Sequence, residues 1–571
     1  MYKIDFNNPI HIHFIGIGGI SMSGLAKILL SEGFTVSGSD AHSSALTDEL
    51  IGDGCIVSVP QSAGNITNDI DLVVYTAAIH PDNPEFKAAK EAGLPMLTRA
   101  ELLGQIMTIY KNAINIAGTH GKTTTTSMVS EILLAANMDP TISVGGILNS
   151  IGGNTRVGGN KYFVAEACEY TNSFLSFNPT MNIILNVKED HLDFFKDIDD
   201  IRHSFKLFTE KLPSDGTLII NTDIDNYEYF YQDTDCEVIT FGSDPAKSMY
   251  SASDITYDEL GRCTYSLLIN GEKADTITLG VPGLHNVYNS LAAIAAARKL
   301  SVDMEHIKAG LSNFKGTNRR FEKKGTFNGV TVIDDYAHHP DEIRATLSSA
   351  AHYPHNRVWV VFQPHTYSRT KLLFNEFADA LSHADKVVLA KIYAARETDT
   401  LGISSADLCE KIKSLGKECV YIDNFEDIEK YLLKKYPKFA FLGEESNNFE
   451  DKDFSWIVDP IDGTSNFIHG YPFYCVSIGL AYKGYPILGV VYAPLTNTIY
   501  KAHAKSKAYK NGKVINVSST NKLIESLIIT GFYYDTATND NFLNDRKSYS
   551  HKANPLNFPF VPITIAPFKY E

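Results

Sequence analysis

At 571 residues the chain is too long for one hydrophobic core, and three or four domains are expected. With 51 Lys and Arg against 67 Asp and Glu, the net charge of −16 argues against nucleic acid or an anionic membrane as the main partner. The 7 Cys are scattered without a CxxC pair, no basic-then-apolar leader opens the chain, and no apolar run approaches about eighteen residues. A cytosolic, unanchored protein with free thiols is therefore expected.

Residues 1–105 begin with "HIHFIGIGGISMSGLAKILLSEGFTVSGSD", which predicts strand, glycine turn, helix, strand. Gly16, Gly18 and Gly19 let the backbone approach a phosphate at the helix N-terminus, where free N–H groups favour an anion. Asp40 follows the second strand, where a Rossmann-like unit places an acid near a ribose. Ser21 stands where the dinucleotide fingerprint wants a third glycine-like residue, so NAD is not the first choice. A nucleotide diphosphate and a ligand-free tight turn both remain open here.

Residues 106–315 carry the stronger signal, "NAINIAGTHGKTTTTSMVSEILLAA". An apolar strand enters a glycine loop, and the GKT opens an amphipathic helix. The loop is shorter than a standard phosphate-binding loop, but Gly118, Thr119, His120, Gly121, Lys122, Thr123 and Thr124 keep its elements. Backbone N–H groups can cradle phosphates, Lys122 can reach the terminal oxygens and the Thr123 hydroxyl can sit on Mg²⁺. Further oxygen or nitrogen ligands are needed, and Glu166, Asp190 and His191 follow the ends of apolar strands. His285, Asn286 and Asn289 begin an Ala-rich helix, where Asn is also a common cap.

Residues 316–437 repeat a strand-then-helix plan with polar strand ends: Asp334-Asp335-Tyr336 with His338-His339, then Gln363, His365 and Arg369. With "ADKVVLAKIYAARETDTLGISS" as the third, three such units in a row predict a second doubly wound sheet, with a site wall at its strand ends.

Nine stretches, "IGIGGISMSGLA", "GTHGKTTTT", "VAEACEY", "NVKEDHLD", "PGLHNVYNSLAA", "NRRFE", "IDDYAHHPDEI", "FQPHTYSRT" and "IYAARE", occur in the order found in Mur ligases. Residues 1 to about 435 resemble that family, and most closely its amino-acid-adding members. The resemblance implies an α/β, three-domain Mur ligase: a Rossmann-like UDP-binding domain (1–105), a P-loop ATPase-like central domain (106–315) and a Rossmann-like C-terminal domain (316–437). It implies ATP and Mg²⁺ as cofactors and UDP-N-acetylmuramate and L-alanine as substrates, in peptidoglycan precursor synthesis. An acyl phosphate forms first, because a carboxylate is a poor acyl donor until it carries a leaving group. The implied roles put Lys122 on the transferring phosphate and Thr123, Glu166 and His191 on Mg²⁺. Asn289 would meet adenine, Arg320 the ATP phosphates and Asp335 the ATP ribose. Tyr336, His338 and Arg369 would surround alanine, with Lys122, His338 and Arg369 as the catalytic set. Gly16, Gly18, Gly19 and Asp40 would serve the UDP end. Thr366 stands where some relatives carry Arg and is given no role.

Beyond about residue 438 the pattern changes. "FLGEES", "WIVDPIDGTSNFIHGYPFYCVSIGLAYKGYPILGVVYAP" and "AYKNGKVINVS" resemble the inositol monophosphatase family over about 438–531. That resemblance implies a vestigial Mg²⁺ site of Glu444, Asp459, the Ile461 carbonyl and Asp462, with Thr464 near the attacking water. The family's segments before "GEE" and its later "WDxAAG" segment are missing, and the Pro-rich end resembles neither family. An incomplete α+β phosphatase-like segment is therefore expected over 438–571, with weak or absent activity. The ligase pattern also stops before its usual last strand, and 439–442 is expected to supply a replacement. A ligase of a preformed peptide, a Mg²⁺-dependent phosphomonoesterase and a ligase-fold protein without turnover remain alternatives.

Overall fold

The apolar runs of the first hundred residues pair into a five-stranded parallel sheet. Its strands are β1 (His11–Ile15), β2 (Thr35–Ser39), β3 (Ile56–Ser58), β4 (Leu72–Tyr75) and β5 (Met96–Thr98), in the order β3-β2-β1-β4-β5. The helices α1 (Ile20–Ser31), α2 (Ala45–Asp53), α3 (Pro84–Glu91) and α4 (Arg99–Met107) accompany it. The strand order reverses at β1, so the Gly16–Gly19 turn lies at the crevice where open α/β sheets receive ligands. The computed structural model describes residues 2–516 except 77, 193, 318, 328–329, 396, 398–400, 436–440, 444–453, 463–473, 483–484, 495–497 and 505.

A ten-stranded sheet follows. It contains β6 (Asn112–Ala117), β7 (Thr141–Leu148), β8 (Gly153–Arg156), β9 (Tyr162–Glu166), β10 (Met181–Ile184), β11 (Thr217–Asn221), β12 (Glu237–Phe241), β13 (Tyr250–Tyr257), β14 (Arg262–Ile269) and β15 (Glu272–Pro282). The order is β15-β14-β13-β12-β11-β10-β6-β9-β7-β8, parallel from β7 to β12 and antiparallel at both margins. The parallel strands are mostly apolar, as strands covered on both faces tend to be, with Asn115, Thr141, Asn182 and Thr217 as buried polar exceptions. The helices are α5 (Lys122–Ala135), α6 (Ile198–Thr209), α7 (Leu284–Lys299) and α8 (Met304–Asn313). Every side chain of α7 from Leu291 to Ala297 has 0% exposure, and its small residues bring the helix close to its neighbours.

The third region departs from three consecutive strand–helix units. Its first strand, β17 (Val330–Asp334), pairs antiparallel with β16 (Glu322–Phe327), Phe327 facing Val330. The sequence between them is Asn328-Gly329, the dipeptide that two-residue hairpins select. The strand expected to open the first strand–helix unit is thus one arm of an antiparallel ribbon, with Val330 and Val332 exposed. The parallel sheet itself has the order β18-β19-β20, from β18 (Trp359–Phe362), β19 (Lys386–Leu389) and β20 (Glu418–Tyr421). It packs with α9 (Pro340–Ala350), α10 (Tyr367–Leu372), α11 (Phe374–Leu381) and α12 (Ser405–Ser414) around Phe377, Leu381, Val387 and Leu408, and α13 (Phe425–Lys435) follows.

Residues 1–430 form one unit and 431–571 a second. The second holds a seven-stranded sheet in sequential order: β21 (Phe441–Gly443), β22 (Phe454–Asp462), β23 (Cys475–Tyr482), β24 (Tyr485–Ala493), β25 (Thr498–His503), β26 (Ala508–Lys510) and β27 (Lys513–Ile515). The strand expected to complete the ligase sheet from 439–442 does not do so. Phe441–Gly443 pairs parallel with Trp456–Val458 inside this second sheet, where an apolar partner strand is available. Among the described residues no helix is long and apolar enough to cross a membrane.

Candidate active site

The buried strand β6 delivers the chain into a tight loop at Gly118 (φ +146°), and Gly121 (φ +85°) caps α5. A Cβ on Gly121 would lie 2.6 Å from Asn289 Oδ1, so glycine is required there by backbone and by space. Asn186 clamps the loop from below: its Oδ1 accepts from His120 N at 2.8 Å, and its Nδ2 donates to His120 O at 3.0 Å.

Lys122 Nζ is folded into this loop. It donates to Gly118 O at 2.5 Å and to Thr119 O at 3.2 Å, and it pairs with Glu169 Oε2 at 3.0 Å. Burial alone would lower its pKa, but the charge and hydrogen bond of Glu169, together with the Glu166 charge and the Cys168 side chain, outweigh burial and hold it above the usual lysine value. Glu169 is 2% exposed, and sequence reasoning missed it although Glu166 in the same motif was chosen.

Glu166 ends β9. Its Oε1 accepts from Gly145 N at 2.6 Å. Burial pushes its carboxyl up, opposed by that amide and by a hydrogen bond with the Thr123 hydroxyl. Two of the three proposed Mg²⁺ ligands, Thr123 and Glu166, therefore meet directly. His191 stands apart in a left-handed conformation (φ +54°), its ring 4.6 Å from that of Tyr170 and its Nε2 3.8 Å from Asp190 Oδ2.

A cavity of about 300 Å³ opens beside the loop. His120, Gly121, Thr123, Thr124, Asn289, Arg320 and Asp335 all line it, so most of the proposed ATP set converges there, while Gly118, Thr119 and Lys122 lie behind it. Asn289 Nδ2 donates to Asn286 Oδ1 at 3.0 Å. Asp335 accepts from Phe321 N and Ala337 N, each at 2.8 Å, and burial pushes its carboxyl up against those two bonds.

Glu342 is the hub that sequence reasoning overlooked. Its carboxylate lies 3.4 Å from His120 Nδ1, 3.4 Å from His338 Nδ1 and 3.6 Å from Arg320 Nη1. Burial works against ionisation, yet these partners hold the carboxyl well below the usual range. His120 also packs against His339, ring centroids 4.5 Å apart. Among the described residues, the cluster of His, Cys and carboxylate side chains with ligand atoms within 4.8 Å of one another is His120, His339 and Asp341.

The proposed amino-acid residues form a neighbouring wall. His338 Nδ1 is 3.0 Å from Tyr336 O, and the two rings lie 5.5 Å apart. Arg369 Nη2 donates to Asp190 Oδ1 at 2.8 Å, and its Nη1 lies 3.2 Å from His365 Nδ1. Burial opposes ionisation of Asp190, but the Arg369 guanidinium holds its carboxyl far below the usual range.

At the first sheet, Gly16 takes φ +84°, Gly18 N donates to Asp40 Oδ2 at 3.0 Å and Gly19 caps α1. Asp40 thus fastens the glycine turn. In the second unit, Asp459, Ile461 and Asp462 fall on β22, their side chains outside the described residues, as are Glu444 and Thr464.

Residues 11–111 match the Mur ligase family catalytic domain, 116–297 the Mur ligase middle domain and 319–438 the Mur ligase glutamate ligase domain. The UDP-N-acetylmuramate–L-alanine ligase of Lachnospira eligens is 98% identical over 434 residues, which cover 76% of this chain and 95% of that protein. This chain belongs to the Mur ligase family. The ligase of the same description from Agathobacter rectalis is 60% identical over 76% of this Mur ligase and 94% of its own length. Among solved structures, the UDP-N-acetylmuramate-alanine ligase MurC of Thermotoga maritima has a TM-score of 0.61 at 32% identity, covering 74% of this chain and 92% of that one. A murein peptide ligase of Psychrobacter arcticus gives 0.55 at 26% identity, again over 74% and 92%. The inositol monophosphatase family matches residues 413–559 of this Mur ligase. That span exceeds the expected 438–531 at both ends, reaches into the Pro-rich end and overlaps the third ligase match at 413–438.

Proposed function

We propose that this Mur ligase is an ATP-dependent UDP-N-acetylmuramate–L-alanine ligase of peptidoglycan precursor synthesis, working in the cytoplasm. The observation that carries the reading is the convergence of the loop residues His120, Gly121, Thr123 and Thr124 with Asn289, Arg320 and Asp335 on one cavity. The near-identity to the Lachnospira eligens ligase supports the choice of amino acid and acceptor. Residues 1–105 take the UDP-sugar, 106–315 hold ATP, 316–437 complete the ATP and alanine sites, and 438–571 form a phosphatase-like appendage.

The acceptor's lactyl carboxylate attacks the γ-phosphorus of ATP and ADP leaves. The alanine amine then adds to the acyl phosphate carbon, and phosphate departs from the tetrahedral adduct. Lys122 neutralises charge on the transferring phosphoryl group, and the loop N–H groups fix its direction. Arg320 faces the phosphates, Asp335 the ribose and Asn289 the base. Tyr336, His338 and Arg369 orient the amino acid.

Mg²⁺ fits the residues present. A buried carboxylate that burial drives toward protonation, bonded to a hydroxyl, is an oxygen pair that a hard cation stabilises. Thr123, Glu166 and His191 would hold it, and it would supply charge neutralisation for the phosphates.

ATP consumption with UDP-N-acetylmuramate present, and alanine, glycine, serine or tripeptide added in turn, tests the reading. Turnover should need the acceptor and favour alanine, and Lys122→Ala should abolish it. Turnover favouring tripeptide, or an unchanged Lys122→Ala rate, would remove the assignment.

A further inference from the structure

Arg99 is the first residue of α4, directly after β5, and is half-buried. Its Nη1 donates to Ser21 Oγ at 3.0 Å. No carboxylate of the described residues pairs with it, whereas Lys122 pairs with Glu169 and Arg369 with Asp190. Burial lowers its pKa. A guanidinium cannot shed its proton at neutral pH and carries five N–H donors. A half-buried cation with spare donors is a favourable place for an anion to bind.

Ser21 is the second residue of α1, whose N-terminus opens on the glycine turn fastened by Asp40. It is also the residue that breaks the dinucleotide fingerprint. The hydroxyl has a use there that glycine could not meet: it holds one arm of the Arg99 fork. Arg99 therefore stands beside the N-terminus of α1, next to the sugar-nucleotide turn.

We propose that Arg99 binds the diphosphate of the UDP-sugar, with Ser21 orienting its guanidinium. The inference rests on the reading that residues 1–105 take a UDP-sugar. The planar fork can bridge two phosphate oxygens where an ammonium meets one, so the site is selective for Arg over Lys.

Calorimetric binding of UDP, UDP-N-acetylglucosamine and UDP-N-acetylmuramate to the full chain tests this at fixed ionic strength. All three carry the diphosphate, and the last alone carries the lactyl carboxylate. Arg99→Gln should weaken all three by a similar factor, about tenfold or more, and leave binding of a nonhydrolysable ATP analogue unchanged. The KM for the acceptor should rise with little change in the KM for ATP. Arg99→Lys and Ser21→Ala should give smaller losses of the same pattern, and they carry the test if Arg99→Gln fails to fold. A loss confined to UDP-N-acetylmuramate would assign Arg99 to the carboxylate and overturn the proposal, as would unchanged affinities. If the unmodified chain binds none of the three, the proposed function fails first.

Discussion

Glu169 holds the Lys122 ammonium at 3.0 Å while Gly118 O holds it at 2.5 Å, so the loop lysine occupies its own cradle. A triphosphate entering the loop must exchange these partners for phosphate oxygens, and Glu169 defines where the lysine waits. Glu169→Gln removes the charge from a pair whose side chains are 16% and 3% exposed. It should destabilise the fold by about 3 kcal/mol, read by chemical denaturation, because the buried ammonium loses its anion. ATP turnover should fall with it; equal stability in the two proteins would show that the pair contributes nothing net.

Gly121→Ala combines a left-handed backbone with a contact of 2.6 Å to Asn289 Oδ1. The backbone term alone costs about 1–2 kcal/mol. The variant should lose binding of a nonhydrolysable ATP analogue and melt earlier. Adding Asn289→Ala relieves the contact but not the φ angle, so the double variant should recover only part of the loss.

The Arg369–Asp190 pair joins the central sheet region to the third sheet. Its carboxyl is held far below the usual range, so its contribution to stability is present above the ordinary Asp value near 3.8 and is lost only in stronger acid. Asp190→Asn should therefore lower stability across the neutral range. It should also change the KM for alanine more than that for UDP-N-acetylmuramate, which steady-state kinetics will separate.

His339 is pushed down from 6.5 to about 4, first by burial and then by the neighbouring His120 charge, against the opposing carboxylates of Asp190, Asp341 and Glu342. The unfolded chain therefore binds a proton in this window that the folded chain refuses. Stability should rise with pH between about 4 and 6.5 and fall as pH drops through that range. His339→Thr keeps a side chain that can cap α9 and removes the titration. Its unfolding free energy, measured from pH 4 to 7, should show a shallower slope than the parent's; an identical slope would place the proton elsewhere.

The glycine loop was legible because its chemistry is local: strand, two glycines, Lys and Thr in one stretch. The strand ends bearing Glu166 and Asp335 were legible for the same reason, since a short apolar run marks its own exit, whereas His191 lies in the loop seven residues beyond β10. Asn186, Glu169 and Glu342 were not, because each acts by meeting a residue from another element, and nothing in its own neighbourhood states that. Arg99 has no such signal either; its missing counter-charge exists only after folding. The β16–β17 ribbon was misjudged although Asn328-Gly329 announces a hairpin, because the following Asp-Asp-Tyr motif drew the strand into a parallel plan. In the second unit β21 was assigned to the wrong sheet, since an isolated three-residue run carries no pairing preference of its own.

The alanines of α7 act as a gauge. With seven successive side chains at 0% exposure, the helix can neither roll nor advance without collision. Asn286 and Asn289 ride on that same rod one turn earlier. The depth at which their amides meet the nucleotide loop is thus dictated by methyl groups remote from any substrate. A drug-resistance search confined to pocket-facing positions would miss it: one added methylene at Ala293 or Ala296 should retune the nucleotide site from behind.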